Sequence, residues 1–352
     1  MTTHLRMRKL KAVFPKHKID ALLVTRDVNI RYLTGFPAGE SWLLVGQRRS
    51  YYLTDSRYIQ EAKEGLKGAS VVLTRRSIAE TFFETVRKAG IKNIGFDTRY
   101  MTLSQYRDLK RRCPREVRLV KADQLVEDQR MIKDKGEIKK IGKALSIHKL
   151  AYAFLKKNIK PNIKENELSI RLERFVQSKG AGLSFPSIIA SGPNSCYPHA
   201  KVTQRRFRRN EGVLIDMGVD VEGYKSDLTR MFFLGKIPAL IRPVFEAVRE
   251  AQMLAIAGIK AGVKASDIDL LARNSLKKRK LDKYFGHALG HGVGLEVHES
   301  PRLAHNDATI LKEGMVLTVE PAVYIPGKFG VRLEDMVLVG KNDCEILSDD
   351  IH

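Results

Sequence analysis

Residues 213–232 read VLIDMGVDVEGYKSDLTRMF, and the placing of acidic letters among apolar ones in them decides how the rest of the chain is read. The run Gly212-Val-Leu-Ile-Asp-Met-Gly218 has the unbroken apolar character of a buried strand, with one carboxylate, Asp216, inside it. Gly223 marks a turn that brings a second strand, over Gly223–Leu234, back beside the first and carries Asp227 with it. Burying one carboxylate is costly. Burying two side by side without a cation is worse, because each raises the other's pKa.

The same anomaly recurs twice. Glu320 closes the apolar run MVLTVE at 315–320, and Glu334 sits in GVRLED at 330–335. Three histidines gather in FGHALGHGVGLEVHE at 285–299: His287, His291 and His298. Gly290 and Gly292 flank His291, so the backbone there tolerates close approach and leaves the imidazole room. In the bland alternative each acid ends its strand in solvent or pairs with Arg230 or Arg332, and each histidine is satisfied by backbone. Four such acids together argue against it. Carboxylates with an imidazole form a hard donor set for Mn, Co, Fe or Zn, and carboxylates that bridge favour two ions over one, the arrangement used in metal-assisted hydrolysis. Similar acids serve phosphoryl transfer, but nearby imidazoles favour a substrate carbonyl whose oxyanion accepts a hydrogen bond from histidine.

Working outward, residues 1–125 form an α/β domain. Short apolar runs at 20–25, 42–45, 51–54, 71–74 and 94–96 read as strands, and 78–89 and 103–112 as helices. Neither GxGxxG nor GxxxxGK[ST] occurs, so nucleotide binding has no support. After a joint near 123–134, residues 126–352 read as an α+β domain of two roughly similar halves. Its helices are expected over 134–157, 165–178, 244–257 and 267–279, the last with Ser266 and Asp269 as a capping box, and 285–346 is mainly strand.

The 352-residue composition, 43% hydrophobic and 29% charged, is that of an ordinary globular chain. Its apolar stretches fall short of the roughly 18–20 residues that span a bilayer, and no membrane partner is expected. The N-terminus lacks an apolar signal core, so a cytoplasmic location is the expectation. Cys113, Cys196 and Cys344 lie far apart with no CxxC, which excludes a thiolate zinc site. The net charge of +23 raises nucleic acid binding. Residues 1–125 carry 26 Lys and Arg against 12 Asp and Glu, yet scattered as pairs such as Arg48-Arg49 and Arg75-Arg76, without a tract or a recognition motif. A basic solvated surface, with no specific nucleic acid partner, is the expected reading.

These residues carry a family resemblance. ASGPNSCYPHA at 190–200, VLIDMGVDVEGYKSDLTRMF at 213–232, FGHALGHGVGLEVHESPRL at 285–303 and EGMVLTVEPAVYIPGKFGVRLEDMVLV at 313–339 resemble the pita-bread metallopeptidases, a group that includes methionine aminopeptidase, creatinase, Xaa-Pro aminopeptidase and Xaa-Pro dipeptidase. Together with NIRYLTGF at 29–36, the resemblance covers nearly the whole chain. It implies a creatinase/prolidase-type N-terminal α/β domain, 1–125, before a pita-bread catalytic domain, 126–352. It further implies Asp216 on one metal ion, Asp227 and Glu334 bridging both, and His291 and Glu320 on the second. Mn is the first expectation, with Co, Zn or Fe as alternatives. His199 and His298 would hold the scissile carbonyl, with His287 on the substrate side. A hydroxide shared by the two ions would attack, and Glu320 would relay its proton to the leaving proline nitrogen.

The N-terminal domain argues against methionine aminopeptidase, and five intact ligands argue against creatinase or a non-catalytic relative. The proline-specific branch remains. The expectation is an Xaa-Pro aminopeptidase acting on small peptides with proline second, with an Xaa-Pro dipeptidase as alternative. Arg302 is the candidate clamp for a dipeptide's carboxylate, while Arg332 supports either the ligands or the pocket. An open turn at 327–330 favours longer peptides. Two departures, Ala322 in EPAVY and Met231 in DLTRM, bear on substrate range, Ala322 by adding a methyl at a close turn. A homodimer is expected, the small domain walling the cleft. Trp42 and Tyr32–Phe36 are candidates for that face, with core packing favoured.

Overall fold

The computed structural model describes residues 2–37 and 39–351, and the chain falls into two units, Met1–Arg130 and Met131–His352. In the first, β1 (Ala21–Val24), β2 (Trp42–Gly46), β3 (Ser50–Thr54), β4 (Ser70–Leu73), β5 (Asn93–Phe96) and β6 (Arg118–Lys121) form one sheet in the order β4-β3-β2-β1-β5-β6. β1, β5 and β6 run parallel, whereas β2 is antiparallel to both its neighbours. The helices Ile78–Lys88 and Leu103–Arg112 form where the apolar spacing predicts them, the second closed by a Thr102/Gln105 capping box. Helices at Thr3–Ala12, Asp27–Thr34 and Ile59–Gly65 lie outside the sequence expectation. The first buries only Arg6, Met7 and Leu10, too narrow a face to register as a periodicity. Trp42 packs edge-on against Phe82 at 5.6 Å, and Tyr32 is buried beneath Arg6, so both serve the core of this unit.

In the second unit the decisive stretch forms β9 (Gly212–Met217), buried at every residue, between β8 (Ile188–Ser191) and β12 (Leu228–Phe233). A small sheet runs β11-β10-β7, built from β7 (Gly182–Leu183), β10 (Val219–Val221) and β11 (Tyr224–Lys225). The expected return strand over 223–234 is therefore broken. Glu222 and Gly223, both with positive φ, make a two-residue turn between Val221 and Tyr224, and the chain then leaves the ladder at Ser226 and Asp227 before β12 begins. The break has a cause. The Ser226 backbone N–H still donates to the Val219 carbonyl at 2.9 Å, but its hydroxyl accepts the Val219 N–H at 3.0 Å and lies 2.9 Å from Nδ1 of the buried His148, so a side chain replaces the backbone acceptor and the ladder ends there. Asp216 consequently faces Thr229 across the ladder, and Asp227 stands at its mouth.

The remaining strands are β13 (Gly290–Gly292), β14 (Glu299–Leu303), β15 (Val316–Val319), β16 (Ala322–Ile325), β17 (Phe329–Arg332), β18 (Asp335–Val339) and β19 (Cys344–Ile346). Five of them form an antiparallel sheet, β14-β13-β15-β18-β19, and β16-β17 is a hairpin. Ala322 is buried within β16 opposite Arg332, not at a close turn, so its methyl joins the core. The open turn expected at 327–330 forms only in part: Gly327, with a left-handed φ, and Lys328 are exposed turn residues, whereas Phe329 and Gly330 are buried strand residues of β17.

The helix Lys135–Asn158 starts at an Asp134/Glu137 capping box. The Ser266/Asp269 box does not form. That helix runs Ala265–Lys278 from Lys264, and Asp269 is fully buried, bound by Arg273 at 2.6 Å and accepting the Leu289 N–H at 3.1 Å. A carboxylate committed to a salt bridge and to the entry of β13 is unavailable as a cap. Among the described residues no helix is long and apolar enough to cross a membrane.

The glycines around His291 act as the sequence suggests. A Cβ on Gly290 would stand 2.0 Å from the Thr318 carbonyl oxygen, and one on Gly292 2.4 Å from that of Ser300. Gly290→Ala should therefore force β13 from β15 and lower stability by about 1–3 kcal/mol, the usual range for overpacking. Denaturant unfolding checks the size, and metal affinity should fall with it because His291 shifts.

Candidate active site

Five side chains from three pieces of β-structure converge. β9 supplies Asp216, the break before β12 supplies Asp227, β13 supplies His291, and the segments after β15 and β17 supply Glu320 and Glu334. Asp227, His291 and Glu334 each offer a donor atom within 4.8 Å of the others. The His291 Nε2 lies 3.4 Å from Glu320 Oε1 and 3.7 Å from Asp227 Oδ2. Its Nδ1–H donates to the Gly292 carbonyl at 3.1 Å, which leaves the Nε2 lone pair aimed at the acids. Burial lowers its pKa to about 3, so the ring is neutral.

The four carboxyls are held in an environment that resists their ionisation. Burial raises each of them. Glu334, with Asp216 nearby, is lifted to about 8, and Asp227, facing Glu334, Asp216 and Glu320, is raised well above the carboxylate range, as is Glu320. Asp216 is also raised by burial, though Arg332 and the imidazoles of His199 and His298 pull the other way. Its Oδ1 is buried without a hydrogen-bond partner. An orphaned carboxylate oxygen, a free imidazole lone pair and four acids that need a cation to share one cavity fit divalent metal.

Arg332 organises the opposite side. Its guanidinium, on a residue only 3% exposed, donates to Asp216 Oδ2 at 2.6 Å, Thr229 Oγ1 at 2.9 Å, Tyr324 OH at 2.5 Å and the Pro198 carbonyl at 3.0 Å. Thr229 Oγ1 in turn donates to Glu334 Oε2 at 2.7 Å. The bland alternative thus holds in part, since Asp216 does pair with Arg332. The pairing uses one oxygen and leaves the other for a ligand. Arg230 goes elsewhere, to Asp335 at 2.6 Å and to backbone carbonyls.

The remaining candidates ring this cluster. His298 meets the His291 ring edge-on with centroids 4.3 Å apart and is exposed, as is His199, which follows the carbonyl gripped by Arg332. His287 donates from Nδ1 to the Ala288 carbonyl at 2.8 Å and sits 3.3 Å from Tyr324 OH; burial lowers its pKa to about 4. Arg302 pairs across the ladder with His291, and among the described residues nothing hydrogen-bonds its guanidinium. Sequence reasoning missed Thr229 and Tyr324. A threonine in a strand and a tyrosine in an apolar run carry no signal until folding shows that they flank Arg332.

The fold and this donor set define a metal-dependent exopeptidase of the pita-bread class. The chain belongs to Metallopeptidase family M24, whose model matches residues 139–341, while the Creatinase/Prolidase N-terminal domain matches residues 6–132. It falls in the Xaa-Pro aminopeptidase and dipeptidase branch. It is 34% identical to an Xaa-Pro dipeptidase of Pyrococcus horikoshii, covering 97% of this chain and 96% of that one. Among solved structures, an Xaa-Pro dipeptidase from Bacillus anthracis superposes with a TM-score of 0.95 at 33% identity over 99% of this chain and 98% of the other. An X-Pro aminopeptidase from Thermotoga maritima gives 0.87 at 32%, over 96% and 97%.

Two expectations follow. Glu334 has a folded, metal-free pKa of about 8 against an ordinary 4.5, so its contribution to stability is present below pH 4.5 and lost as pH rises through 8. A cation replaces that proton, so the Tm gap between metal-loaded and stripped protein should widen across this window, with protons released on metal titration. A gap independent of pH would contradict the cluster as described. Arg332→Met should lower metal affinity or turnover about 10- to 100-fold, and Arg332→Lys should not rescue it, because one ammonium cannot reproduce the planar fork.

Proposed function

We propose that the chain is an Xaa-Pro dipeptidase working with two divalent ions, Mn before Co, Zn or Fe. The observation that carries the dipeptidase reading is Arg302, whose guanidinium has no hydrogen-bonded partner among the described residues, cross-strand from His291 and suited to a free carboxylate just beyond proline. The similarity to two dipeptidases of matching length supports it. Of the open turn at 327–330 that favoured longer peptides, Gly327 and Lys328 are exposed, while Phe329 and Gly330 are buried strand residues, so the turn is shorter than that argument required. The aminopeptidase reading keeps the support of the Thermotoga structure and stands second.

Asp216, Asp227, His291, Glu320 and Glu334 would hold the ions, which when bound supply Lewis-acid polarisation and a nucleophile of lowered pKa. The rest is work for the chain. His298 and His199 donate hydrogen bonds to the carbonyl oxygen as charge develops on it, and partial desolvation of the His298 ring, with the His199 charge, lowers its pKa and favours donation from the neutral form. Glu320 carries a proton to the proline nitrogen as it leaves. Arg332 favours the ionised form of Asp216 against the effect of burial and fixes the backbone before His199. His287, locked by Ala288 and Tyr324, shapes the substrate side. Small proline-containing peptides are the substrates of this reading, and nucleic acid has no specific part in it.

Kinetics on Ala-Pro, Ala-Pro-Ala and a longer Xaa-Pro peptide with one Mn-loaded preparation test it. Ala-Pro should be strongly preferred, and Arg302→Ala should cost it about 1.5–3 kcal/mol in kcat/KM, the range for a lost charged hydrogen bond. Equal cleavage of all three peptides would assign the chain to the aminopeptidases. An equal loss on all substrates in the variant would make Arg302 structural.

A further inference from the structure

Lys133 lies in the second unit, in sequence far from every residue of the cluster, and its side chain is only 1% exposed. Its Nζ donates to Glu299 Oε2 at 3.3 Å and to the Met131 carbonyl at 3.3 Å. The lysine backbone is itself fixed. Its N–H donates to the Gly314 carbonyl at 2.8 Å, and Ile132 bridges to Met315 just before β15. Glu299, with a side chain 6% exposed, folds back on its own loop, Oε1 accepting the Glu296 N–H at 3.0 Å. Gly294 leaves the space it fills, since a Cβ there would stand 2.8 Å from Glu299 Oε2.

The turn closed by this carboxylate, from Glu296 to Glu299, contains His298. Across the ladder Glu299 pairs with Gly292, where the register shifts after His291. One oxygen of Glu299 therefore shapes the turn that presents His298, and the other is gripped by a lysine anchored to the sheet beneath. A buried pair of this kind adds little net stability over an apolar pair of equal volume. What it supplies is a direction. We propose that Lys133 is a positioning residue, which through Glu299 holds the His298 imidazole at its edge-on station against His291. The inference rests on the reading that His298 faces the substrate carbonyl.

A mutant cycle on the Mn-loaded full chain with Ala-Pro separates the possibilities. His298→Ala should lower kcat roughly 10²-fold. Lys133→Met should lower it about 10- to 100-fold, as a misplaced catalytic contact does, with metal content unchanged. The combined variant should fall within about threefold of His298→Ala alone, because a residue that acts through His298 has nothing left to position. If Lys133 served stability only, the losses would multiply, a smaller folded fraction scaling every turnover alike, and the proposal would fail. Lys133→Met/Glu299→Gln relieves the unpaired charge. It should regain Tm without regaining kcat, and recovery of both would equally overturn the proposal. Should Lys133→Met not fold, this charge-relieved pair carries the same cycle with His298→Ala. If His298→Ala turns over like the parent, the assignment of His298 falls instead, whatever Lys133 does.

Discussion

Four carboxyls occupy one buried cavity, and their mutual repulsion is the constraint on which the rest of the second unit depends. Desolvation alone would protonate them, and proximity compounds it. Arg332 offsets part of this by lending charge to Asp216 and, through Thr229, a hydrogen bond to Glu334. It does not offset all of it, since Asp216 Oδ1 lacks a partner and Asp227 and Glu320 remain well above their ordinary pKa. The metal-free fold thus leaves a donor cluster that a divalent cation would complete.

Holding such a cluster calls for side chains on rigid elements, and the chain does this with antiparallel sheets whose irregularities fall at the ligands. Asp227 stands where β11 hands over to β12, His291 where β13 shifts register, and Glu320 and Glu334 just past strand ends. Two of these irregularities are fixed by a neighbour with no place in the chemistry. His148 ties down Ser226 next to Asp227, and Asp269 ties down Leu289 at the entry of β13. A regular strand would point alternate residues to opposite faces and could not gather these five on one cavity.

Arg302 and Arg332 show how two arginines of one region divide the work. Arg332 is buried, four of its contacts are fixed, and it belongs to the metal cluster. Arg302 is exposed, its guanidinium without a hydrogen-bonded partner among the described residues, and it faces the substrate in the dipeptidase reading. The family and its exopeptidase chemistry follow from the shared framework. In that reading, the preference between a dipeptide and a longer chain turns on Arg302.

Acidic letters inside apolar runs were enough to mark Asp216, Asp227, Glu320 and Glu334, because burial of a carboxylate is improbable without a reason, and paired glycines marked His291. The α/β and α+β halves were legible for the same kind of reason, since apolar periodicity is a local property of the chain. The broken return strand at Ser226, the commitment of Asp269 to Arg273, the strand character of 329–330 and the joint role of Thr229, Tyr324 and Arg332 were not legible. Two of these depend on partners dozens of residues away, His148 for Ser226 and Pro198 for Arg332, and Asp269, although only four residues from Arg273, is also held to Leu289 twenty residues on. Local sequence determined which side chains needed a cation; only tertiary contacts decided which atoms of those side chains were left free to bind one.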